Sequence, residues 1–267
     1  MKPQPAFDAY AADYDSAFTH SQIGRLQRAQ VWKALLPYLK KPQRILEVNC
    51  GTGVDALWLA EQGHDVLATD ISPGMIEICR QKLKHHTPAG KIDFQVADFS
   101  QLNSLAQQGT FDLVFSNFGG LNCIDANATR KFSQQCSQLL RPGGLLFLVY
   151  ISKACFWERY YFRYLGNKEK ARRRQASGPV VSDVEGKNVH IWYYLLEELQ
   201  VLYSESFQCI NQFPVGLFVP PSYLEEWFIK RPSILQGLGQ LDKVFRWKRW
   251  ADYGDHIGVV MQKKKVL

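Results

Sequence analysis

The sequence predicts an α/β fold, a parallel sheet with helices packed on both faces. Three observations carry that expectation. Short β-branched or apolar runs alternate with helix-period segments from Arg44 to Ile151, which is the rhythm of βαβ units. A glycine-rich turn, Cys50-Gly51-Thr52-Gly53, joins the first run to the first helix. With 267 residues, 46% of them apolar, the chain can bury a sizeable core, which excludes global disorder.

The elements follow in order. Arg44–Val48 reads as a buried strand, and Val54, Leu57 and Trp58 then fall at i, i+3 and i+4 of a helix. Asp65–Asp70 is a second strand, after which Ser72-Pro73 supplies an N-cap and a first-turn proline. Met75, Ile78, Cys79 and Leu83 form the stripe of that next helix. Ile92–Asp98 is the third strand and Phe111–Phe118 the fourth. A helix with Phe132, Cys136, Leu139 and Leu140 on one face is stopped by Arg141-Pro142-Gly143-Gly144, and Leu145–Ile151 is the fifth strand.

Past residue 151 the rhythm breaks. Residues 152–175 read as a basic, aromatic helical insertion, and Val180–Tyr194 as a hairpin turning at Glu185-Gly186-Lys187-Asn188. Leu195–Phe207 is an amphipathic helix, Cys209–Val219 strand-like, and two helical stretches lie near 222–230 and 233–246. His256–Gln262 is the last strand. The expectation is a single domain over 1–267, with a binding core at 1–151 and insertions at 152–194 and 220–250.

Composition narrows the class. The six cysteines, at 50, 79, 123, 136, 155 and 209, form no Cys-x-x-Cys, so they read as reduced thiols of a cytoplasmic protein with no metal site. The N-terminus lacks the apolar stretch of a secretory leader. Apolar runs such as Leu145–Ile151 fall far short of the roughly 18 residues that span a bilayer. Lys and Arg number 32 against 25 Asp and Glu, a formal charge of +7. Residues 1–150 hold 14 basic and 13 acidic side chains, whereas 152–175 hold eight basic and two acidic. The excess is therefore local. Lys170–Arg174 reads as a solvated helix face, and an acidic or phosphorylated small substrate, or simple solubility, accounts for the charge better than nucleic acid does.

The chemistry concentrates at the ends of the first four strands. Glycine at 51 and 53 lets the backbone turn tightly and approach a ligand, and the helix behind it offers unpaired N–H groups. Asp70 closes the second strand, where a carboxylate can accept both hydroxyls of a ribose. Asp98 closes the third, followed by Phe99, whose ring can cover a flat base. Asn117-Phe118-Gly119-Gly120 ends the fourth. Open α/β sheets bind ligands at the carboxyl ends of adjacent parallel strands. Cys123 reads as a buried apolar thiol, His85-His86 as a solvated pair, and Asp255-His256 as a polar pair for a pocket.

These motifs resemble those of class I S-adenosylmethionine-dependent methyltransferases, in the small-molecule branch that includes quinone-biosynthesis and glycine N-methyltransferase-like enzymes. The resemblance spans about residues 7–151: Phe7…Tyr10…Tyr14-Asp15, ILEVNCGTG, VLATDISPGM, Asp98-Phe99, FDLVFSNFGGLNCI and LLRPGGLLFLV. It implies a doubly wound, Rossmann-like seven-stranded sheet of order 3-2-1-4-5-7-6 with the last strand antiparallel, and S-adenosyl-L-methionine as cofactor. It places Gly51 and Gly53 under the methionine part, Glu47 near its ammonium and Arg28 on its carboxylate. Asp70 would hold the ribose, Ile71 and Met75 would flank the adenine, and Asp98 would take its amino group. Asn117 and Phe118 would line the floor near the sulfonium, and Tyr14 would cap the cofactor. Asn49 departs from the family's usual glycine, yet asparagine tolerates left-handed backbone.

The implied reaction is an in-line methyl transfer to a small-molecule acceptor. The sequence assigns no catalytic base. The late insertions, where such enzymes place a substrate lid, hold Trp157, Tyr160, Tyr161, Tyr164, His190, Trp192, Tyr193, Tyr194, Tyr223 and Trp227. These either cap the methyl or form a satellite core. Two rivals stand beside the methyltransferase reading. Gly51-x-Gly53-x-x-Ala56 with Asp70 also satisfies the fingerprint of an NAD(P)-dependent oxidoreductase, although Glu47, Asp98-Phe99 and a terminal antiparallel strand speak against it. An RNA methyltransferase would use the basic 152–175 segment, but no appended RNA-binding motif accompanies it.

Overall fold

The structure is a computed structural model and describes residues 8, 11–184, 187–245 and 247–265. Phe7 and Tyr10 of the N-terminal pattern, and Glu185-Gly186 of the hairpin turn, lie outside the described residues. In chain order the helices α1 (Ala11–Tyr14) and α2 (Gln22–Leu35) precede β1 (Arg44–Val48), α3 (Val54–Glu61), β2 (Asp65–Asp70) and α4 (Pro73–Leu83). Then come β3 (Ile92–Val96), β4 (Phe111–Ser116), α5 (Ala126–Leu139) and β5 (Leu140–Ile151). The later part holds α6 (Phe156–Tyr164), α7 (Lys168–Arg172), β6 (Val180–Val184), β7 (Lys187–Ile191), α8 (Leu196–Tyr203) and β8 (Phe207–Val215). It ends with α9 (Glu225–Ile229), α10 (Pro232–Val244) and β9 (His256–Lys263).

Seven strands form one sheet in the order β3-β2-β1-β4-β5-β9-β8, while β6 and β7 pair as a separate antiparallel hairpin. β1, β2, β3, β4 and β5 run parallel, and β9 pairs antiparallel with both β5 and β8. The chain starts at β1, winds outward to β3 and returns to β4, so the direction of winding reverses between β1 and β4. That switch point opens a crevice beyond the strands' carboxyl ends.

Both faces of the sheet are buried. One side packs Leu46, Val114, Leu146 and Phe132; the other packs Ile45, Phe115, Phe147 and Leu59. Each fully buried side chain of this size contributes roughly 1.5–3 kcal/mol, which explains the unbroken apolar runs in the sequence. Ser72 Oγ accepts from Met75 N at 3.1 Å, with Pro73 in the first turn, so α4 starts where its capping residues place it.

Several boundaries differ from expectation. β3 stops at Val96 and β4 at Ser116, leaving Asp98, Phe99, Asn117 and Phe118 in the loops above the sheet. Pro142-Gly143 follows the end of α5, but the chain is already extended from Leu140, which pairs with Phe111 across a register shift. The amphipathic helix ends at Tyr203, and β8 opens at Phe207 rather than Cys209 because its pairing with β9 begins there.

Candidate functional site

The loop after β1 is built on left-handed backbone. Asn49, Gly51 and Gly53 have φ of 50°, 54° and 77°. Asparagine replaces glycine at 49 at little cost, because its side chain latches the loop onto β4. Its Oδ1 accepts from Ser116 Oγ at 2.6 Å and its Nδ2 donates to the Asn117 carbonyl at 3.0 Å. The latch needs a glycine opposite, since a Cβ on Gly120 would lie 2.4 Å from Asn49 Cγ.

The two glycines of the turn divide their roles. A Cβ on Gly53 would sit 2.8 Å from Cys79 Sγ and 3.0 Å from the Phe94 ring, so this glycine lets α3 seat against α4 and the sheet. A Cβ on Gly51 would meet only the Tyr14 ring, at 3.8 Å, so Gly51 faces open space.

That space is a cleft of about 480 Å³. Tyr14, Asn49, Gly51, Asp70, Ile71, Met75, Asp98, Phe99, Asn117 and Phe118 all line it, so ten of the thirteen candidate residues meet there. Cys123, Val189 and Ile191 line it as well. Asp70 accepts from Gly51 N at 2.9 Å and from Ser72 N at 3.0 Å, which fixes its carboxylate at the cleft wall. Burial raises its pKa above the ordinary aspartate value, and those backbone bonds oppose the rise only in part. Burial also pushes the Cys123 thiol up to about 11, which keeps it protonated and unsuited to be a nucleophile.

At one end the cleft narrows to a hollow lined by Tyr14, Arg28, Asn49, Asp55, Asn117 and Phe118. Arg28 Nε lies 3.2 Å from Asp55 Oδ1, and its guanidinium sits 5.1 Å from the Phe118 ring. Asp55 also accepts from Trp32 Nε1 at 2.6 Å and from Asn117 Nδ2 at 3.0 Å. Glu47 lies in β1, 1% exposed, and its Oε2 has no hydrogen-bond partner. Burial, reinforced by the nearby Asp55 charge, holds its pKa well above the usual carboxylate range. Such a carboxyl suits a cationic group brought to the hollow.

Asp8, which the sequence reading passed over, and Asp15, which it held only as part of the N-terminal pattern, tie that segment to the site. Asp8 Oδ1 accepts from Ser72 Oγ at 2.6 Å and Gly74 N at 2.7 Å, at the start of α4. Asp15 accepts from Thr52 Oγ1 at 2.6 Å and pairs with Lys82 Nζ at 2.5 Å. Together they hold Tyr14 over Gly51. Nothing in the local pattern signals these contacts, because both acids bond residues far along the chain.

A second cavity of about 330 Å³ adjoins the cleft and shares Tyr14, Phe118 and Ile151 with it. Its other walls include Phe18, Arg174, Tyr223, Asp255 and His256. The expected polar pair is therefore at a pocket, and it heads an ionic chain. His256 Nδ1 lies 3.5 Å from Asp255 Oδ2, Arg174 Nη2 donates to Asp255 Oδ1 at 2.8 Å, and Arg174 Nε donates to Glu158 Oε2 at 2.8 Å. Arg173 adds two further bonds to Glu158, at 3.1 and 2.9 Å. Burial raises the Asp255 carboxyl, but the charges of His256 and Arg174 outweigh it and hold its pKa below the ordinary value. Burial drives His256 the other way, below the usual imidazole value, against the pull of Asp255.

One expectation is corrected here and one open choice is narrowed. Lys170–Arg174 is not one solvated face, since Arg174 is buried at 7% exposure and Arg173 is tied to Glu158. The late aromatics do not converge on the cleft. Of the ten, only Tyr223 lines either cavity. Trp157, Tyr160, Tyr161 and Tyr164 line a separate groove, and Trp192, Tyr193 and Tyr194 a hollow beside α8. Trp227 is exposed beneath the Arg231 guanidinium, and His190 points outward. The hairpin reaches the cleft through its aliphatic residues Val189 and Ile191, because alternation along β7 turns those two inward and His190 away.

Residues 45–144 match the family model described as a methyltransferase domain. The non-reducing polyketide synthase prhL of Penicillium brasilianum is 33% identical over 141 residues, which cover 48% of this chain and 5% of that synthase. This chain thus matches only a small part of the synthase's length. The demethylmenaquinone methyltransferase of Clavibacter sepedonicus is 28% identical over 198 residues, covering 73% of each chain. Among solved structures, the CcbJ methyltransferase of Streptomyces caelestis superposes with a TM-score of 0.64 at 16% identity, over 99% of this chain and 100% of that one, which shows the shared fold.

Proposed function

We infer that this chain is a class I S-adenosylmethionine-dependent methyltransferase that transfers the methyl group of S-adenosylmethionine to a small-molecule acceptor. The observation that carries the reading is the gathering of four strand ends on one cleft: Gly51 after β1, Asp70 closing β2, Asp98 after β3, and Asn117 with Phe118 after β4.

The residues fit that cofactor. The open space over Gly51 leaves room for a ligand against the backbone, and the orphaned Glu47 oxygen lies buried near the hollow where an ammonium would come. In this reading Asp70 holds the ribose hydroxyls, Ile71, Met75 and Phe99 enclose the adenine, and Asp98 accepts from its amino group. Glu47 and Arg28 hold the ammonium and carboxylate, with Tyr14 above. Bound there, the cofactor supplies an electrophilic methyl on a sulfonium. The protein's share is alignment and the exclusion of water.

The adjoining cavity would seat the acceptor. Phe118 and Tyr14 form the shared wall and set the line between the two sites. Burial favours the neutral form of His256, in which its imidazole can take a proton from an acceptor that arrives as an alcohol, phenol or ammonium. Asp255, fixed by Arg174 and by Gln27 Nε2 at 3.2 Å, sets its carboxylate 3.5 Å from Nδ1 of that ring. Val189 and Ile191 close the cleft as a lid.

Hydrogen bonds to a charged group are worth about 1.5–3 kcal/mol, so Asp70→Ala is expected to weaken S-adenosylmethionine binding by at least about tenfold in a calorimetric titration. Unchanged affinity would remove the ribose role and, with it, the reading of this cleft.

A further inference from the structure

We propose that the aromatic face formed by α6 with Phe245, Trp247 and Trp250 docks this protein on the surface of an anionic lipid bilayer. This face lies outside both cavities of the functional site. Phe156, Tyr160 and Tyr164 repeat at four-residue spacing along α6 and look across a groove of about 650 Å³ at Phe245, Trp247 and Trp250. The groove's walls are aromatic and aliphatic, and its rim stands out in water: Tyr164 is 88% exposed and Trp247 49%. A contiguous apolar surface of this kind marks an interaction site.

The charge around it selects the partner. Arg159 and Arg163 are exposed on α6, Lys168, Lys170 and Arg172 on α7, and Lys243, Lys248 and Arg249 are exposed near Trp247 in the chain. Among the described residues of 152–175 and 243–250, Glu169 is the one exposed acid. The Arg249 guanidinium lies 4.7 Å from the Trp247 ring, which sets a cation beside an amphipathic aromatic. Tryptophan and tyrosine settle at the headgroup level of a bilayer, and lysine and arginine reach the phosphates of acidic lipids. No described helix is long and apolar enough to cross a membrane, so the contact is peripheral. Exposed Leu165 and Val244 extend the apolar surface with side chains that enter acyl chains but cannot stack on bases, which favours lipid over RNA.

The test is co-sedimentation of the full chain with vesicles of phosphatidylcholine mixed with phosphatidylglycerol, against phosphatidylcholine alone and against a duplex RNA. Binding to the mixed vesicles is expected to be at least about tenfold tighter than to neutral ones and to weaken as salt is raised. Tyr164→Ser with Trp247→Ser should lower it about tenfold, while Val201→Ser, at a 65% exposed position on α8, leaves it unchanged. In the unaltered chain, brominated phosphatidylcholine within the mixed vesicles should quench tryptophan fluorescence, a readout independent of any variant. Equal or absent binding to the two lipid compositions, an undiminished double variant, no bromine quenching, or tighter binding to the RNA would each overturn the proposal. None of these outcomes bears on methyl transfer, which rests on a different face.

Discussion

Glu47 is a buried carboxyl whose Oε2 has no hydrogen-bond partner, costly in the free protein and, in the proposed function, a partner for the cofactor's ammonium. Its folded-state pKa is raised above the unfolded value, so the folded chain holds that proton more tightly, and stability falls as pH climbs from the ordinary carboxylate range toward the raised value. An arriving ammonium reverses the balance by favouring the carboxylate. Glu47→Gln should therefore melt no lower than the unaltered chain at neutral pH and lose part of its pH dependence, while binding S-adenosylmethionine about tenfold more weakly. Melting curves and calorimetry over a pH series check both halves, and full affinity in the variant would remove the ammonium role. At this scale most of the site was legible. Asn49, Asp70, Asp98 and Phe118 announce themselves by their place after a strand. The Gly-x-Gly pattern does not say which glycine faces neighbouring side chains: a Cβ on Gly53 would meet Cys79 and Phe94, one on Gly51 only the Tyr14 ring.

At the scale of elements, the ionic chain linking α6, α7 and β9 was invisible in the sequence. Arg174 lies 16 residues from Glu158 and 81 from Asp255, and no periodicity joins them. A run of basic residues looks solvated until its buried partners are placed beside it. Removing Arg174 would leave Asp255 buried without its guanidinium and Glu158 with Arg173 alone, so Arg174→Met is expected to cost about 3–5 kcal/mol in a denaturant titration. A loss within the range of ordinary surface substitutions would show that the chain is not buried as described. The β6–β7 hairpin is a second element whose role came only from placement. Its aromatics drew attention in the sequence, yet its aliphatic Val189 and Ile191 face the cleft. Val189→Asp should speed cofactor release about tenfold in a stopped-flow displacement experiment. An unchanged rate would make the hairpin a bystander.

For the molecule as a whole, the βαβ rhythm of residues 44–151 was readable because β1, β2, β4 and the second half of β5 are buried along their length, while α4 and α5 bury one stripe each. The antiparallel ending was an expectation from the family resemblance, and β5, β9 and β8 meet it. The intervening segments have no such rhythm, since their positions are set by long-range contacts. The charge excess that stood out in 152–175 has two fates: Arg173 and Arg174 turn inward to organise the second cavity, and the remaining exposed cations frame an aromatic groove. The glycine-rich loop and Asp70 alone would also suit a dinucleotide. The central claim, that this cleft takes S-adenosylmethionine, is tested most directly by titrating the purified chain with S-adenosylhomocysteine and, separately, with NAD. The account predicts single-site binding of the first and none of the second; binding of NAD, or no binding of S-adenosylhomocysteine, would contradict it.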